Sequence, residues 1–209
     1  MSTSSGSPDA PPARLVLASA SQARAALLTA AGVVFDRDPA AVDEDAVKQD
    51  MRAGGAPAGE ISEALAELKA RQVCRRHAGA LVLGADQVLD LDGDILDKPR
   101  DLAEARDQLL RLRGRDHALV SSACVLIDGT RVWHATDRAR LVMRPFGAAF
   151  LDGYLASAGE TVLSSVGAYR LEGLGAQLFA AVEGSHFTVL GLPLLPLLEF
   201  LRGRGLLVR

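Results

Sequence analysis

The sequence has no run of about 18 apolar residues, so nothing in it reads as a membrane span. No basic segment precedes an apolar one near the start, so no secretion signal is expected and the cytoplasm is the expected compartment. Cysteine is scarce. Cys74 and Cys124 are the only two, and neither sits in a CxxC pair. A disulfide framework or a structural zinc site is therefore not expected, and both read as reduced core thiols. Charge of one sign is also lacking: the net charge is -3 over 209 residues. That balance excludes a basic footprint for nucleic acid and gives an anionic membrane no partner.

Common catalytic signatures are missing too. No Gly-Lys-Ser/Thr occurs, which removes the Walker A loop. The GLGAQL stretch at 173–178 lacks the third glycine of a dinucleotide fingerprint and follows no first strand. The acidic stretch from Asp90 to Asp97 puts Ile95 at the sixth position and Asp101 at the twelfth, so it is no EF-hand. HExxH and GxSxG are absent. His77, His117, His134 and His186 are scattered and read as structural or surface residues.

What is present reads as a mixed α/β chain with hydrophobic content of 49%, long enough for one large domain or two small lobes. Residues 1–13 are rich in Ser, Pro, Gly and Ala and read as a disordered tail, with one domain over 14–209. Arg14–Ala18 reads as a buried strand, Ala23–Ala31 as a helix capped by Gly32, and Val33–Phe35 as a second strand. The acidic VDED at 42–45 reads as a loop, and 52–59 as a flexible connection. Glu60–His77 carries apolar residues at helical spacing and stops at Gly79. Ala80–Leu91 is a strand, with a hairpin turn at Asp92–Gly93. Asp101 and Glu104 open a helix that Gly114 ends. His117–Ile127 and Thr130–Met143 read as strands joined at Asp128–Gly129. Phe146–Ala158 reads as a helix with Pro145 in its first turn, Val166–Leu171 as extended, and Pro193–Arg202 as a closing helix.

Five features bear on chemistry. The strand–helix junction SASQAR carries Ser19, Ser21 and Arg24 where unpaired N–H groups attract anions, although Ser21 reads equally as a plain helix cap. Asp86 interrupts an apolar strand, where a carboxylate is costly unless paired, hydrogen-bonded or metal-bound. A simple sheet-end aspartate is the rival reading. Asp43–Glu44–Asp45 offers solvated or capping carboxylates, or one that brings a divalent cation toward Asp86. Lys69 and Lys98 are surface charges by default, but facing a carboxylate-bound metal they suit a triphosphate. The glycine-rich stretch 164–178, with Glu172 inside it, permits close backbone approach or is an ordinary loop.

Taken in order, LVLASAS at 15–21, VDE at 42–44, LAxxKA at 65–70, GADQV at 84–88, DGxxLxKP at 92–99, EGLGxxLF at 172–179 and GLPL at 191–194 resemble the Maf family of nucleotide pyrophosphatases. The resemblance covers everything after the tail. It implies an elongated mixed β-sheet with flanking helices and two lobes around a central cleft, similar to the inosine triphosphatases. It implies hydrolysis of a nucleoside triphosphate to the monophosphate and pyrophosphate, with Mg²⁺ or Mn²⁺ as cofactor, and a homodimer as an expected assembly. By the same resemblance Asp86 is the catalytic aspartate and Glu44 its partner in the metal site. Ser19, Ser21, Arg24, Lys69 and Lys98 fall on the phosphate-binding side. One departure stands out: the usual SxSPRR is SASQAR, so Gln22 and Ala23 replace a Pro–Arg pair. Gln87 and Glu172 resemble the branch acting on 7-methylguanosine triphosphate rather than the dTTP/UTP branch. A carboxylate also suits guanine, since it accepts from N1–H and the exocyclic amine. The alternatives are a dTTP/UTP pyrophosphatase and a non-enzymatic nucleotide sensor of cell division.

Overall fold

The computed structural model describes residues 14–208, so the 1–13 tail lies outside the described residues. The short strand β1 (Leu15–Leu17) feeds helix α1 (Gln22–Ala30). Ser21 caps that helix by accepting from the Arg24 N–H. Gly32, at φ 72°, closes its far end while the Val33 N–H reaches back to the Leu28 carbonyl. That closing bond keeps residue 33 with the helix. The expected strand at 33–35 therefore lies further on, as β2 (Asp36–Arg37), paired in parallel with β1.

The acidic VDED segment is not a loop. Asp43 caps helix α2 (Glu44–Ala53), accepting from the Ala46 N–H, and Glu44 and Asp45 fill its first turn. Three carboxylates at a helix N-terminus complement the dipole, which explains why a polar segment folds as helix. The connection expected over 52–59 shrinks to 54–57, because helix α3 (Ala58–Cys74) begins at once. Strand β3 (Leu81–Leu91) turns at Asp92–Gly93, both at positive φ, into β4 (Asp94–Leu96). Asp101 caps α4 (Leu102–Leu112), while Glu104 bonds back to the Arg100 N–H.

Strands β5 (Asp116–Ile127) and β6 (Thr130–Met143) form a long hairpin through Asp128–Gly129. Helix α5 (Ala148–Ala158) starts later than expected, with Gly147 at its N-cap, so Pro145 precedes the helix rather than lying in its first turn. Val166–Leu171 is not a strand either. Val166–Ala168 is a 3₁₀ turn in which Gly167 and Ala168 both take positive φ, so the chain bends sharply there. Two elements had no clear signal in the sequence: β7 (Phe179–Glu183) and the single turn α6 (His186–Val189). Helix α7 (Leu194–Gly203) follows.

The seven strands form one mixed sheet in the order β2-β1-β3-β5-β6-β7, with β4 also on β3. Side-chain alternation along β3 divides the interior. Leu81, Leu83 and Ala85 join α1 and α7 in one core, whereas Leu89 and Leu91 join α4 and α5 in another. On the opposite face, Val82 and Val88 pack under α3. The sheet thus runs through two lobes with helices on both faces, as the resemblance implies. Cys74 and Cys124 are free and buried, and burial pushes the Cys124 thiol up to about 12, which makes that thiol inert.

His117 belongs to the second lobe. It is 4% exposed, its Nε2 lies 2.7 Å from the Tyr169 hydroxyl, and its Nδ1 is buried without a partner among the described residues. Burial lowers its pKa from 6.5 to about 4. Because the unfolded chain takes up this proton first, stability is complete above pH 6.5 and declines as pH falls toward 4. The whole shift corresponds to about 3 kcal/mol at most. Urea midpoints measured between those pH values should fall with acid. His117→Gln should flatten that slope, and an unchanged slope would remove His117 as its source.

Candidate active site

Strand β3 pairs with β1 only as far as Leu83 and with β4 only from Leu89. Between them, residues 84–88 have no strand on that edge. A cleft of 1210 Å³ opens at this gap, bordered by the 18–24 turn, α2, the 97–100 segment and the 164–172 segment. Gly84, Asp86 and Gln87 stand in the gap itself. Period-two alternation sends Asp86 to the α3 face and Gln87 to the face between the two lobes.

Gly84 sets how closely α3 approaches. A Cβ at that position would lie 2.0 Å from the Ala66 carbonyl oxygen and 2.9 Å from the Ala70 Cβ. This contact brings Lys69, one position before Ala70, over Asp86. The Lys69 Nζ donates to Asp86 Oδ1 at 2.7 Å and lies 2.9 Å from Glu44 Oε1. Both Lys69 and Asp86 are buried. Asp86 Oδ2, also buried, has no hydrogen-bond partner among the described residues. A carboxylate oxygen buried without a partner is costly, a cost that a bound ligand would relieve. Burial raises the Glu44 pKa, but the Lys69 charge and hydrogen bond, with Lys48 and Lys98 behind them, outweigh it and hold the carboxyl below its ordinary value.

The junction after β1 supplies the cationic side. The Arg24 Nε donates to the Gly191 carbonyl at 2.8 Å and its Nη1 donates to Ser19 Oγ at 3.1 Å. Ser19 Oγ also accepts from the Ser21 N–H, so the turn is locked from within. Lys98 also lines the cleft. Desolvation, and after it the Arg24 charge, lowers its pKa. Among the described residues lining the cleft, Arg24 and Lys98 are the cations without a carboxylate partner. The others are engaged: Lys48 and Arg52 both with Asp97 at 2.9 Å, Arg100 with Glu104, and Arg170 with Glu172.

Every residue singled out in the sequence lines this cleft: Ser19, Ser21, Arg24, Glu44, Lys69, Asp86, Gln87, Lys98 and Glu172. Gln87 is already half committed. Its Nε2 donates to the Thr188 carbonyl at 2.8 Å, the Val189 carbonyl at 3.1 Å and Ser121 Oγ at 3.0 Å. Backbone carbonyls only accept, so the amide nitrogen is fixed on that side. The carbonyl Oε1 is what Gln87 can offer to a ligand. Glu172 Oε1 accepts from the Arg170 Nε at 2.9 Å, with the carboxylate still partly exposed.

Sequence reading missed Lys48, Arg52 and Asp97, which tie α2 across the cleft to the segment after β4. The i, i+4 spacing of Lys48 and Arg52 was a usable sign, once the segment is known to be helical. It also missed the Gly191 carbonyl, for which no side chain gives a sign. Among the described residues no group of three or more His, Cys, Asp and Glu side chains gathers to hold a metal. Two carboxylates, Asp86 and Glu44, flank the Lys69 ammonium. No helix among the described residues is long and apolar enough to cross a membrane.

A "Nucleoside triphosphate pyrophosphatase" of Paramagnetospirillum magneticum is 57% identical over 92% of this chain and 100% of its own length. One of the same name from Granulibacter bethesdensis is 52% identical over 90% of this chain and 96% of its own. A "7-methyl-GTP pyrophosphatase" of Rhizobium meliloti is 47% identical over 91% and 96%. A solved Nucleoside-triphosphatase / dITP/XTP pyrophosphatase of Mycobacterium abscessus overlaps 92% of this chain and 95% of its own, with a TM-score of 0.43 and 17% identity, a likeness too loose to bear on the assignment. The family model described as "Maf-like protein" matches residues 14–204, which span every element that builds the cleft, and the chain belongs to that family.

Proposed function

We propose that this protein hydrolyses a nucleoside triphosphate to its monophosphate and pyrophosphate, with 7-methyl-GTP as the preferred substrate and a divalent cation as cofactor. The observation that carries the reading is the buried, unpartnered Asp86 Oδ2, set opposite the two unpaired cations Arg24 and Lys98. A carboxylate oxygen without a partner can hold a water, and unpaired cations in the same cleft can hold the chain of phosphates that the water attacks.

The residues fit a divalent metal of the Mg²⁺ type, which takes one or two carboxylates and completes its shell with phosphates and water. Asp86 and Glu44 would hold it, and when bound it supplies charge neutralisation on the phosphates. The rest is done by the chain. Asp86 orients the attacking water and takes its proton as the oxygen bonds to the α-phosphorus and the bond to the β-phosphate oxygen breaks. Arg24, Lys98, Ser19 and Ser21 receive the charge that collects on the leaving pyrophosphate.

The base is read by acceptors. Gln87 has only Oε1 to offer and Glu172 is a carboxylate, so the edge facing them must donate. Guanine does so through N1–H and its amino group, and N7-methylation adds a positive charge that suits Glu172 further. The name of the Rhizobium meliloti relative points the same way.

The test is product analysis over common nucleoside triphosphates, UTP, dTTP, ITP and 7-methyl-GTP, with Mg²⁺ or Mn²⁺. Monophosphate and pyrophosphate, fastest from 7-methyl-GTP, are expected. A clear preference for UTP or dTTP would end the purine assignment. Replacing Glu172 with Gln should lower kcat/KM for 7-methyl-GTP by about tenfold or more, as for a lost charged hydrogen bond, while leaving UTP nearly unaffected. Equal loss on every nucleotide would show that Glu172 does not read the base.

A further inference from the structure

We infer that Lys69 acts as a resident counter-cation: it occupies the carboxylate pair that a divalent metal would use and yields it only when a triphosphate arrives. The inference rests on the metal part of the function proposed above, and it concerns the order in which the site assembles.

The single ammonium of Lys69 lies 2.7 Å from Asp86 and 2.9 Å from Glu44. It already offsets one of the two negative charges on which a metal would depend. Lys69 sits in the middle of α3, and Gly84 holds that helix against β3, so the ammonium can leave only by a swing of its own side chain. A metal on both carboxylates would strip a buried ammonium of its partners and place a doubly charged ion beside it. A buried charge without a partner is strongly unfavourable.

Among the described residues, Lys69 forms ion pairs with no carboxylate besides Asp86 and Glu44. Asp97 is taken by Lys48 and Arg52, Asp43 is spent on the Ala46 N–H, and Arg24 and Lys98 are cations. An incoming polyphosphate supplies the missing anion. Lys69 would then turn to a phosphate oxygen, and the two carboxylates become free for the metal. Each ligand removes an obstacle to the other, so their affinities must rise together and by the same factor. On this view the protein without nucleotide binds metal poorly by construction, and metal and triphosphate enter as a pair.

The experiment measures Mn²⁺ binding to the full chain by paramagnetic resonance or calorimetry, without turnover. Wild type is compared with Lys69→Met, each alone and with the non-hydrolysable α,β-methylene-GTP. Lys69→Met is expected to bind Mn²⁺ alone at least about tenfold more tightly than wild type, since a charge of the same sign no longer competes. The analogue should tighten Mn²⁺ binding markedly in wild type and much less in the variant. Thermal melting checks that the variant folds, and Lys69→Gln replaces it if it does not. If the uncharged variant binds Mn²⁺ no better than wild type, the counter-cation role is wrong while the metal reading stands. If no form binds Mn²⁺ with or without the analogue, the metal reading falls and this inference falls with it.

Discussion

Replacing Asp86 with Asn should lower turnover by about 10³-fold, the middle of the range for loss of a positioned acid–base group, while leaving the fold intact. The two side chains have the same shape. The amide oxygen can still accept from Lys69, and Glu44 remains to hold that ammonium. What changes is the second atom. Asp86 Oδ2, the buried acceptor with no partner, becomes an amide nitrogen that donates and cannot take a proton from water. The measurement is kcat with 7-methyl-GTP beside a thermal melt. A variant that melts cooperatively and still turns over within about threefold of wild type would make Asp86 a structural residue and remove it from the chemistry.

Gly84→Ala should damage both stability and activity, by one cause. The added methyl would stand 2.0 Å from the Ala66 carbonyl oxygen, which is backbone and cannot rotate away. Either α3 lifts or β3 bends. Overpacking of this kind costs about 1–3 kcal/mol, and a backbone clash belongs at the upper end. The second effect is on the site. Lifting α3 draws Lys69 off Asp86, and a misplacement of about 1 Å is enough to cost on the order of a hundredfold in rate. Urea unfolding with kcat on the folded fraction separates the two. Gly203→Ala serves as the comparison, because a Cβ there meets nothing within 4 Å. If Gly84→Ala were as mild as Gly203→Ala, the close approach of α3 would not be what positions Lys69.

How much of this was legible in the sequence depended on what fixes each part. Strands β1, β3, β5 and β6 and helices α1, α3, α4 and α7 were readable from apolar period, glycine stops and Asp-Gly turns, all of which are local. Helix α2 was not, because six of its ten residues are polar and it is held by its acidic first turn, by Val47 and Met51 packed near Ile61 and Leu65, and by Asp97, far off in the chain. The bend at Gly167–Ala168 hid behind a run that looks extended, and β7 exists only because β6 offers it an edge. The site residues were recoverable one by one as chemically odd members of their segments, Asp86 above all. Their pairing was not. Nothing in the sequence says that Lys69 rather than Lys98 meets Asp86, or that Gln87 spends its amide nitrogen on α6. Such facts come from tertiary closure.

The bond from Arg24 to the Gly191 carbonyl joins positions 167 residues apart. A growing chain makes the anion-facing turn almost at once, yet cannot complete it until the segment carrying α6 has been synthesised and has folded back. Throughout that interval Arg24 lacks its carbonyl anchor. Under the proposed function, a half-made chain therefore carries no finished cradle for a nucleotide. The ability to bind arrives late and all together, coupled to closure of the whole sheet rather than to any one early motif.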